Sequence, residues 1–439
     1  MNIQKSFFKT AYFSFTLLLS ILLNSQAPAQ IKPPEKKILE NGLTLIYRKD
    51  ESSSITVLQM LIKGGKRDDK GKYGLSYLTT RLLIEIPDQR KAQELMSQAS
   101  RVYTSAENDY SLITMICISK NFEKTVEILF KLVKNPLFSG MRIDAVKEMM
   151  EHHRASQEDS PLSVAHNAHL GMLFTGTDYE GAIIGNEKTL KGIGKKDIED
   201  YYRTHFRTSN LIITVVSDRE EEEISLPVIK GIQEFPKGPP LEQTPINLCL
   251  PKEREKKIPK DTKQVLISFG YALPGVTSRN YVSSYLLETL IGKGLNSRLW
   301  PLRSVDKLAY NVDCRTFQWK EAGILEAYLE TDVSKIRRAT EALKRALLKV
   351  FEDKIEEEEF EITKNYAKSL FLRDTEGKEA LASILSKFEA LGLGCEFIST
   401  FLDELNSINV EDFNFYKNKV LDPEKSVLVF VGPAEEEMT

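Results

Sequence analysis

Two runs of apolar residues near the N-terminus, 42–49 and 55–63, predict a pair of β-strands. Both are rich in Ile, Leu, Val and Thr, and the polar segment between them predicts a turn. Leu75, Leu78 and Leu82 follow at the spacing of one helix face, which predicts a helix over 74–86. The same pattern predicts further helices over 91–99, 121–133, 141–157 and 187–204, and strands over 110–118 and 210–216.

The composition of the chain changes after this first half. Residues 227–262 contain many prolines and the charged run KEREKK and show little periodicity, so we interpret them as a linker. The order of elements then recurs, which indicates an internal duplication. Strands are predicted over 264–271, 323–330 and 426–431, and helices over 279–291, 333–352 and 356–371. Because strands and helices do not alternate strictly, the pattern predicts an α+β fold.

Length and composition limit the function classes. A chain of 439 residues is too long for one ordinary core, which favours two domains. The net charge is −3 and the basic residues are scattered, so nothing suggests nucleic-acid binding. No C-x-x-C motif occurs, which argues against a zinc knuckle or a redox motif. Buried free thiols are the default for the four widely spaced cysteines, Cys117, Cys249, Cys314 and Cys395.

The N-terminus has the pattern of a secretory signal peptide. Lys5 and Lys9 precede the apolar run 11–23, and an A-P-A motif ends at Ala29. This 13-residue run is shorter than the ~17–25 residues needed to span a bilayer, which favours cleavage over anchoring. We therefore expect residues 1–29 to be a signal peptide and the mature chain to have no membrane span. The protein would be exported, and periplasmic if it comes from a Gram-negative bacterium.

Three segments resemble the insulinase/pitrilysin family of zinc metallopeptidases. NGLTLIYRKD followed by GGKRDDKGKYGLSYL is similar to the opening of that family, and FTGTDYEGAIIGNEKTLKGIGKKDIEDYYRTHFRTSNLIITVV to the end of its first domain. IGKGLNSRLWPLRSVDKLAYNV is similar to the family's G-G-G-x-x-S-R-L-x-x-x-L-R-x-x-x-G-L-A-Y. The resemblance covers about 37–433. It implies two homologous domains, 30–226 and 263–439, each a mixed β-sheet covered by helices on one face.

The zinc motif of this family, H-x-x-E-H plus a distant Glu, is not retained. The resemblance places Tyr77 and Arg81 at the two His positions and Thr80 at the Glu that activates the attacking water. The family's spacing before Pro161 places His153 at the third ligand. Arg81 has no lone pair to donate, and its charge ~4 Å from Zn²⁺ would cost roughly 8 kcal/mol at an effective dielectric of ~20. We expect no zinc in this chain, no catalysis by the chain alone, and zinc in a partner.

The five histidines offer a substitute metal site. His166 and His169 lie at i, i+3 on one predicted helix, and His152 and His153 precede them. Adjacent histidines point to different helix faces, and the pattern places no carboxylate beside them. We therefore interpret these residues and His205 as solvated or capping histidines.

A second family feature is present. Active members use an Arg and a Tyr, seven residues apart in a later domain, to hold the substrate backbone and stabilise the oxyanion. LRSVDKLAY places Arg303 and Tyr310 at the matching positions. An ion-paired arginine and a packed tyrosine are the alternative, and the pattern leaves both open.

The resemblance implies a non-zinc subunit of an exported peptidase pair. It would enclose a peptide or unfolded protein with a zinc-bearing subunit and contribute Arg303 and Tyr310 to that subunit's site. One alternative is a stand-alone protein that binds peptides by adding them to a sheet edge. A structural envelope protein is another. An active zinc peptidase is disfavoured, because neither H-x-x-E-H nor H-E-x-x-H occurs in the sequence.

Overall fold

Two β-sheets form the framework of the protein. The computed structural model describes residues 33–85, 93, 97–241, 245–246, 248 and 252–433, and those from Pro34 onward cluster into one compact unit. The first sheet, in the order β1-β2-β6-β3-β5-β4, consists of β1 (Glu35–Ile38), β2 (Thr44–Lys49), β3 (Ile55–Lys63), β4 (Arg101–Ala106), β5 (Tyr110–Ile118) and β6 (Leu211–Ser217). The second, in the order β7-β11-β8-β10-β9, consists of β7 (Glu255–Pro259), β8 (Gln264–Pro274), β9 (Asn311–Gln318), β10 (Ala322–Asp332) and β11 (Val427–Gly432).

The two sheets repeat one topology. The order β2-β6-β3-β5-β4 corresponds strand by strand to β7-β11-β8-β10-β9. In each sheet the first pair of that order is parallel and the other pairs are antiparallel. This correspondence confirms the predicted duplication of element order and the α+β class.

Helices fill the connections between the strands. The first half contains α1 (Leu75–Ile84), α2 (Phe122–Lys134), α3 (Gly140–Asp159), α4 (Pro161–Leu173), α5 (Glu187–Gly192), α6 (Lys195–His205) and α7 (Glu221–Ile232). The second half contains α8 (Ser278–Gly292), α9 (Trp300–Ser304), α10 (Ile336–Glu352), α11 (Glu357–Asp374), α12 (Lys378–Ala390), α13 (Phe397–Ser407) and α14 (Val410–Val420). In chain order α1 and α3 correspond to α8 and α11. Within the described residues, no helix is both long and apolar enough to cross a membrane.

Strand alternation places one core on the helical side of the first sheet. Leu58, Met60 and Ile62 of β3 point to the same face, because side chains alternate along a strand. They belong to one buried cluster with Leu82 of α1 and Leu129 of α2. The predicted layer of helices on one face is confirmed for the helices of the same half.

The opposite face of each sheet carries a helix from the other half. Helix α12 packs on β3 and β6, where Ser386 Oγ donates to Thr214 Oγ1 at 2.9 Å and Gln59 Nε2 donates to Ser383 Oγ at 2.7 Å. Helix α4 packs in the same way on β8 and β11 of the second sheet. The exchange covers the second face of the central strands in both sheets and makes the two halves interdependent.

Several predicted boundaries need correction. The helix predicted over 187–204 is two helices, because the backbone is extended at Ile193 and Gly194. The predicted linker 227–262 begins inside α7, since this helix continues past Pro227, and it contains strand β7. The described residues between α7 and β7 hold no helix or strand.

Other predictions fall outside the described residues, or were not made. Residues 1–29, most of 91–99, and Cys249 lie outside the described ranges. The other three cysteines are buried and free. Several elements were not predicted, since their short or mixed patterns give no clear period: strands β1, β4, β7 and β9, and helices α4, α7, α9, α12, α13 and α14.

Candidate functional site

The helix that carries the degenerate zinc motif is held at its start by a buried carboxylate. Gly74, before the first turn of α1, adopts a left-handed φ of 99° that favours glycine. Asp69 accepts the backbone N–H groups of Gly74 at 2.9 Å and of Ser76 at 2.8 Å. Burial raises the pKa of Asp69 well above its ordinary value, against the effect of these hydrogen bonds. This arrangement fixes where the next residues of α1 point.

The residues at the family's zinc positions lie together but do not suit a zinc ion. The rings of Tyr77 on α1 and His153 on α3 are 6.3 Å apart between centroids. Burial raises the pKa of Tyr77, so its side chain stays a neutral phenol, a poor metal ligand. Arg81 Nη2 forms an ion pair with Glu85 Oε1 at 2.5 Å. Thr80 is 1% exposed, and its hydroxyl has no hydrogen-bond partner in the described part of the chain. The donor set therefore does not fit zinc, and we derive no step through a metal here.

The histidines on α4 belong to a buried ion network. His169 Nδ1 and His166 Nδ1 each lie 2.9 Å from Glu326 Oε1 on β10, and His169 Nε2 lies 3.1 Å from the Ser268 carbonyl. Arg315 Nε donates to Glu326 Oε2 at 2.7 Å. Burial alone would raise the pKa of Glu326, but His166 and His169 hold it well below the ordinary value. Our interpretation of these histidines as solvated or capping is therefore wrong: they fasten α4 to the second sheet.

His205 is also part of the core. It is 6% exposed, its ring stacks on Tyr201 at 3.8 Å, and its Nδ1 lies 2.9 Å from the Tyr201 carbonyl. Burial lowers the pKa of His205 to about 4. Only His152 and His153 are exposed, as expected from the sequence.

Arg303 and Tyr310 present their functional groups outward. Arg303 lies on α9, with its guanidinium 5.3 Å from the centroid of the Trp300 ring. Tyr310 comes directly before β9 and is 54% exposed, while its backbone N–H donates to the Glu330 carbonyl at 2.9 Å. Neither side chain forms an ion pair or hydrogen bond with the described residues. The alternative of an ion-paired arginine and a packed tyrosine does not describe this arrangement.

The residues that flank this pair have structural roles. Arg298 binds Glu359 of α11 through two hydrogen bonds of 2.6 Å each. Leu299 and Leu308 are buried. The matched S-R-L and L-A-Y segments thus anchor the loop that carries Arg303 and Tyr310.

A polar junction between the halves was not identified from the sequence. Tyr179 Oη donates to Asp109 Oδ1 at 2.8 Å, and Arg67 Nη1 lies 3.2 Å from the same oxygen. Asp109 Oδ2 accepts the backbone N–H of Lys320, in the β9–β10 turn, at 2.9 Å. This junction fixes the turn of the second half against three segments of the first. Its members are far apart in sequence, so no local pattern reveals it.

A buried lysine completes the junction. Lys66 Nζ donates to the carbonyls of Tyr179, Glu180 and Gly181 at 2.6, 3.0 and 2.9 Å. Burial lowers the pKa of Lys66 to about 7. The family has serine at this position of its G-S-R segment, so the lysine anchor is a departure from the family pattern.

Comparisons with known proteins agree with the geometry. A family model described as the peptidase M16 inactive domain matches residues 192–366. The chain is 19% identical to an uncharacterized zinc protease, YmxG, of Bacillus subtilis, covering 90% of this chain and 97% of the relative. It is 20% identical to the mitochondrial-processing peptidase subunit beta of Bos taurus, covering 94% and 88%.

Solved structures share the fold. The peptidase M16 inactive domain from Pseudomonas fluorescens superposes with a TM-score of 0.83 at 17% identity, covering 92% of this chain and 98% of that one. A protease from Helicobacter pylori superposes with a TM-score of 0.82 at 17% identity, covering 92% and 100%. Residues 192–366 thus match the peptidase M16 inactive domain, and nearly the whole chain is similar to peptidases of the insulinase/pitrilysin type, although neither H-x-x-E-H nor H-E-x-x-H occurs in its sequence.

Proposed function

We propose that this chain is the non-zinc subunit of an exported insulinase-family peptidase pair. It would enclose a peptide or unfolded protein together with a zinc-bearing subunit, while zinc resides in that partner. The proposal rests mainly on one observation: the chain has the family's substrate-holding Arg and Tyr but lacks its zinc ligands. Arg303 and Tyr310 are exposed and unpaired among the described residues, whereas Tyr77 and Arg81 stand where zinc ligands would be.

The two side chains suit the chemistry of peptide-bond cleavage. A carbonyl oxygen gains negative charge when the bond is attacked, and the Tyr310 hydroxyl can donate a hydrogen bond to it. The guanidinium of Arg303 presents five N–H donors to backbone carbonyls of the substrate and never gives up its charge. Both groups would therefore hold the substrate while the partner supplies the metal.

The relatives and the N-terminus support this proposal at different levels. One relative is named as a subunit of a processing peptidase, and another as subunit 1 of the cytochrome b-c1 complex of Mus musculus. Both names describe chains that work within assemblies. The signal-peptide pattern of residues 1–29 supports export.

Co-expression with a candidate zinc-bearing relative tests the pairing. We expect a stable complex on size-exclusion chromatography, with zinc bound to the partner and an interface of at least ~1,000 Å². Arg303→Ala and Tyr310→Phe should each reduce turnover by ~10²–10³, with unchanged assembly and zinc content. Arg338→Ala, an exposed arginine on α10, is the matched control and should keep full activity.

Two outcomes would contradict the proposal. Separate elution of the two chains at micromolar concentration would exclude the pair. Near-normal turnover in both site variants would remove the catalytic contribution and leave a scaffold.

A structural role is the second candidate. The cytochrome b-c1 subunit is 19% identical over 206 residues, covering 46% of this chain and 42% of that protein. An assembly that contains this chain but has neither peptidase activity nor zinc would favour that role.

A further inference from the structure

The loop that carries Arg303 and Tyr310 contains a lysine in an unusual backbone conformation. Lys307, between α9 and β9, has a φ of 55°, which lies in the left-handed region. Residues other than glycine seldom adopt this conformation, because their Cβ atom crowds the backbone. The family segment R-x-x-x-G-L-A-Y has glycine where Lys307 stands. Lysine at this position therefore introduces backbone strain that glycine would avoid.

Two lysine ammonium groups hold this strained turn. Lys307 Nζ donates to the carbonyl of Ser304, the last residue of α9, at 2.6 Å. Lys335, the residue before α10, donates from its Nζ to the carbonyl of Lys307 at 3.0 Å. The side chain of Lys307 thus closes the turn onto α9, and Lys335 fixes the carbonyl of the strained residue. Glycine could adopt the same φ but would supply no ammonium group.

The residues after the turn are fixed to the second sheet. Leu308 is 7% exposed, and its N–H donates to the Leu302 carbonyl at 2.9 Å. The Leu308 carbonyl accepts a hydrogen bond from Thr331 Oγ1, on β10, at 2.6 Å. The backbone N–H of Tyr310 donates to Glu330 of the same strand. The backbone that carries the Tyr310 side chain is therefore held in place along β10.

The segment 304–307 connects the two proposed substrate-holding residues. Arg303 precedes it on α9, with its guanidinium 5.3 Å from the centroid of the Trp300 ring, and Tyr310 follows it. The conformation of this segment therefore sets the position of the Arg303 guanidinium relative to the Tyr310 hydroxyl. Groups that act on one substrate must keep their relative position, since a displacement of ~1 Å can reduce the rate about 10²-fold.

We propose that Lys307 and Lys335 are positioning residues, which hold the loop between α9 and β9 so that Arg303 and Tyr310 reach one substrate together. Neither lysine would touch the substrate. The inference rests on the proposed function for the chemistry of Arg303 and Tyr310, whereas the conformation of the loop is a property of the isolated chain. The two parts can therefore be tested separately.

Amide hydrogen exchange on the isolated mature chain tests the conformation. Lys307→Met and Lys335→Met each keep most of the alkyl stem and remove the ammonium group. Exchange at Leu308, followed by mass spectrometry in fragments that cover 302–310, should become about tenfold faster in each variant, since the loss of one hydrogen bond changes the opening equilibrium by about this factor. Lys349→Met, which removes an exposed lysine from the last turn of α10, is the matched control and should leave the exchange unchanged.

A glycine variant separates the strain from the ammonium group. Lys307→Gly adopts the left-handed turn without strain but supplies no donor, so its exchange should be slower than that of Lys307→Met and faster than that of the wild type. Wild-type exchange in both methionine variants would overturn the proposal, whether or not a partner subunit is found.

The pair with a zinc-bearing subunit tests the consequence for catalysis. In Lys307→Met and Lys335→Met, kcat per assembled complex should fall about tenfold, less than the ~10²–10³ expected when the Tyr310 hydroxyl itself is removed. Assembly and zinc content should stay unchanged. Lys307→Gly should recover part of the loss.

The outcomes distinguish this proposal from the proposed function. A role in stability alone would lower the melting temperature or the amount of assembled pair and leave kcat per complex unchanged. Normal kcat in variants with faster exchange at Leu308 would therefore overturn the positioning role. A wild-type pair that does not cleave peptides would instead refute the proposed function, while the exchange rates of the isolated chain would still show whether Lys307 and Lys335 hold the loop.

Discussion

Removing one positive charge should decide whether the degenerate site can hold zinc. The variant Tyr77→His/Arg81→His/His153→Glu restores the three family ligands, while Thr80 is kept to avoid burying a carboxylate where the side chain is 1% exposed. The 6.3 Å separation of the Tyr77 and His153 rings indicates that α1 and α3 are close enough for ligands from both to meet one ion. We expect this triple variant to bind one zinc ion per chain.

The size of the effect follows from the charge on Arg81. A unit charge ~4 Å from Zn²⁺ costs roughly 8 kcal/mol at an effective dielectric of ~20. Glu85, 2.5 Å from Arg81 Nη2, neutralises part of that charge. With half of the repulsion remaining, ~4 kcal/mol, the charge alone weakens zinc binding about a thousandfold, so the triple variant, which also gains a third ligand, should bind zinc at least that much more tightly than a variant that keeps Arg81. The control is Tyr77→His/His153→Glu, which restores two ligands and keeps Arg81.

Zinc competition with a chromophoric chelator gives the two affinities, and elemental analysis gives the stoichiometry. Circular dichroism and melting temperature show whether both variants keep the fold. A folded triple variant that binds zinc no more tightly than the double variant would show that Tyr77, Arg81 and His153 are not the family's ligand positions.

Three further outcomes test the chemistry of other residues. Glu326→Gln should reduce stability by ~3 kcal/mol in urea denaturation, because Arg315 and two histidines would lose their buried counter-charge; an unchanged midpoint would contradict this. The pKa of His205 is about 4 in the folded protein against an ordinary 6.5, so the unfolded chain binds the proton first and stability should fall by ~3 kcal/mol between pH 6.5 and 4. His205→Asn, which keeps a donor but does not titrate, should make stability less dependent on pH in this range. An equal loss of stability in the variant and the wild type would contradict the prediction. The wild-type chain alone should bind no stoichiometric zinc and cleave no unstructured peptide, which elemental analysis and a chelator-controlled peptidase assay check.

The fold class and the family resemblance follow from the sequence alone. Long strands such as β3 and β5 and the helix at Leu75–Ile84 follow from local period and residue type, so the pattern predicts them closely. The repeated order of elements also appears in the pattern, and the two sheets confirm it. Likewise, the loss of the zinc motif is a matter of residue identity at fixed spacing, which needs no coordinates.

Only the tertiary structure shows that α4 and α12 each pack on the sheet of the other half. The local sequences of α4 and α12 do not predict this packing, because it depends on sheet faces formed by residues distant in the chain. The same holds for His169, which sequence reasoning assigned to solvent. Its partner Glu326 is 157 positions away in the chain.

For the candidate site, the sequence identified the candidate residues, and the structure showed whether their side chains are paired or free. The family resemblance identified Arg303 and Tyr310, but it could not distinguish paired side chains from free ones, because pairing depends on which elements fold against them. The exposure of Ile362 and Tyr366 on α11 had no sequence signal, since it arises only when α11 packs against α8. Residue identity fixes which chemistry is possible, whereas burial and long-range contacts fix which groups remain free to perform it.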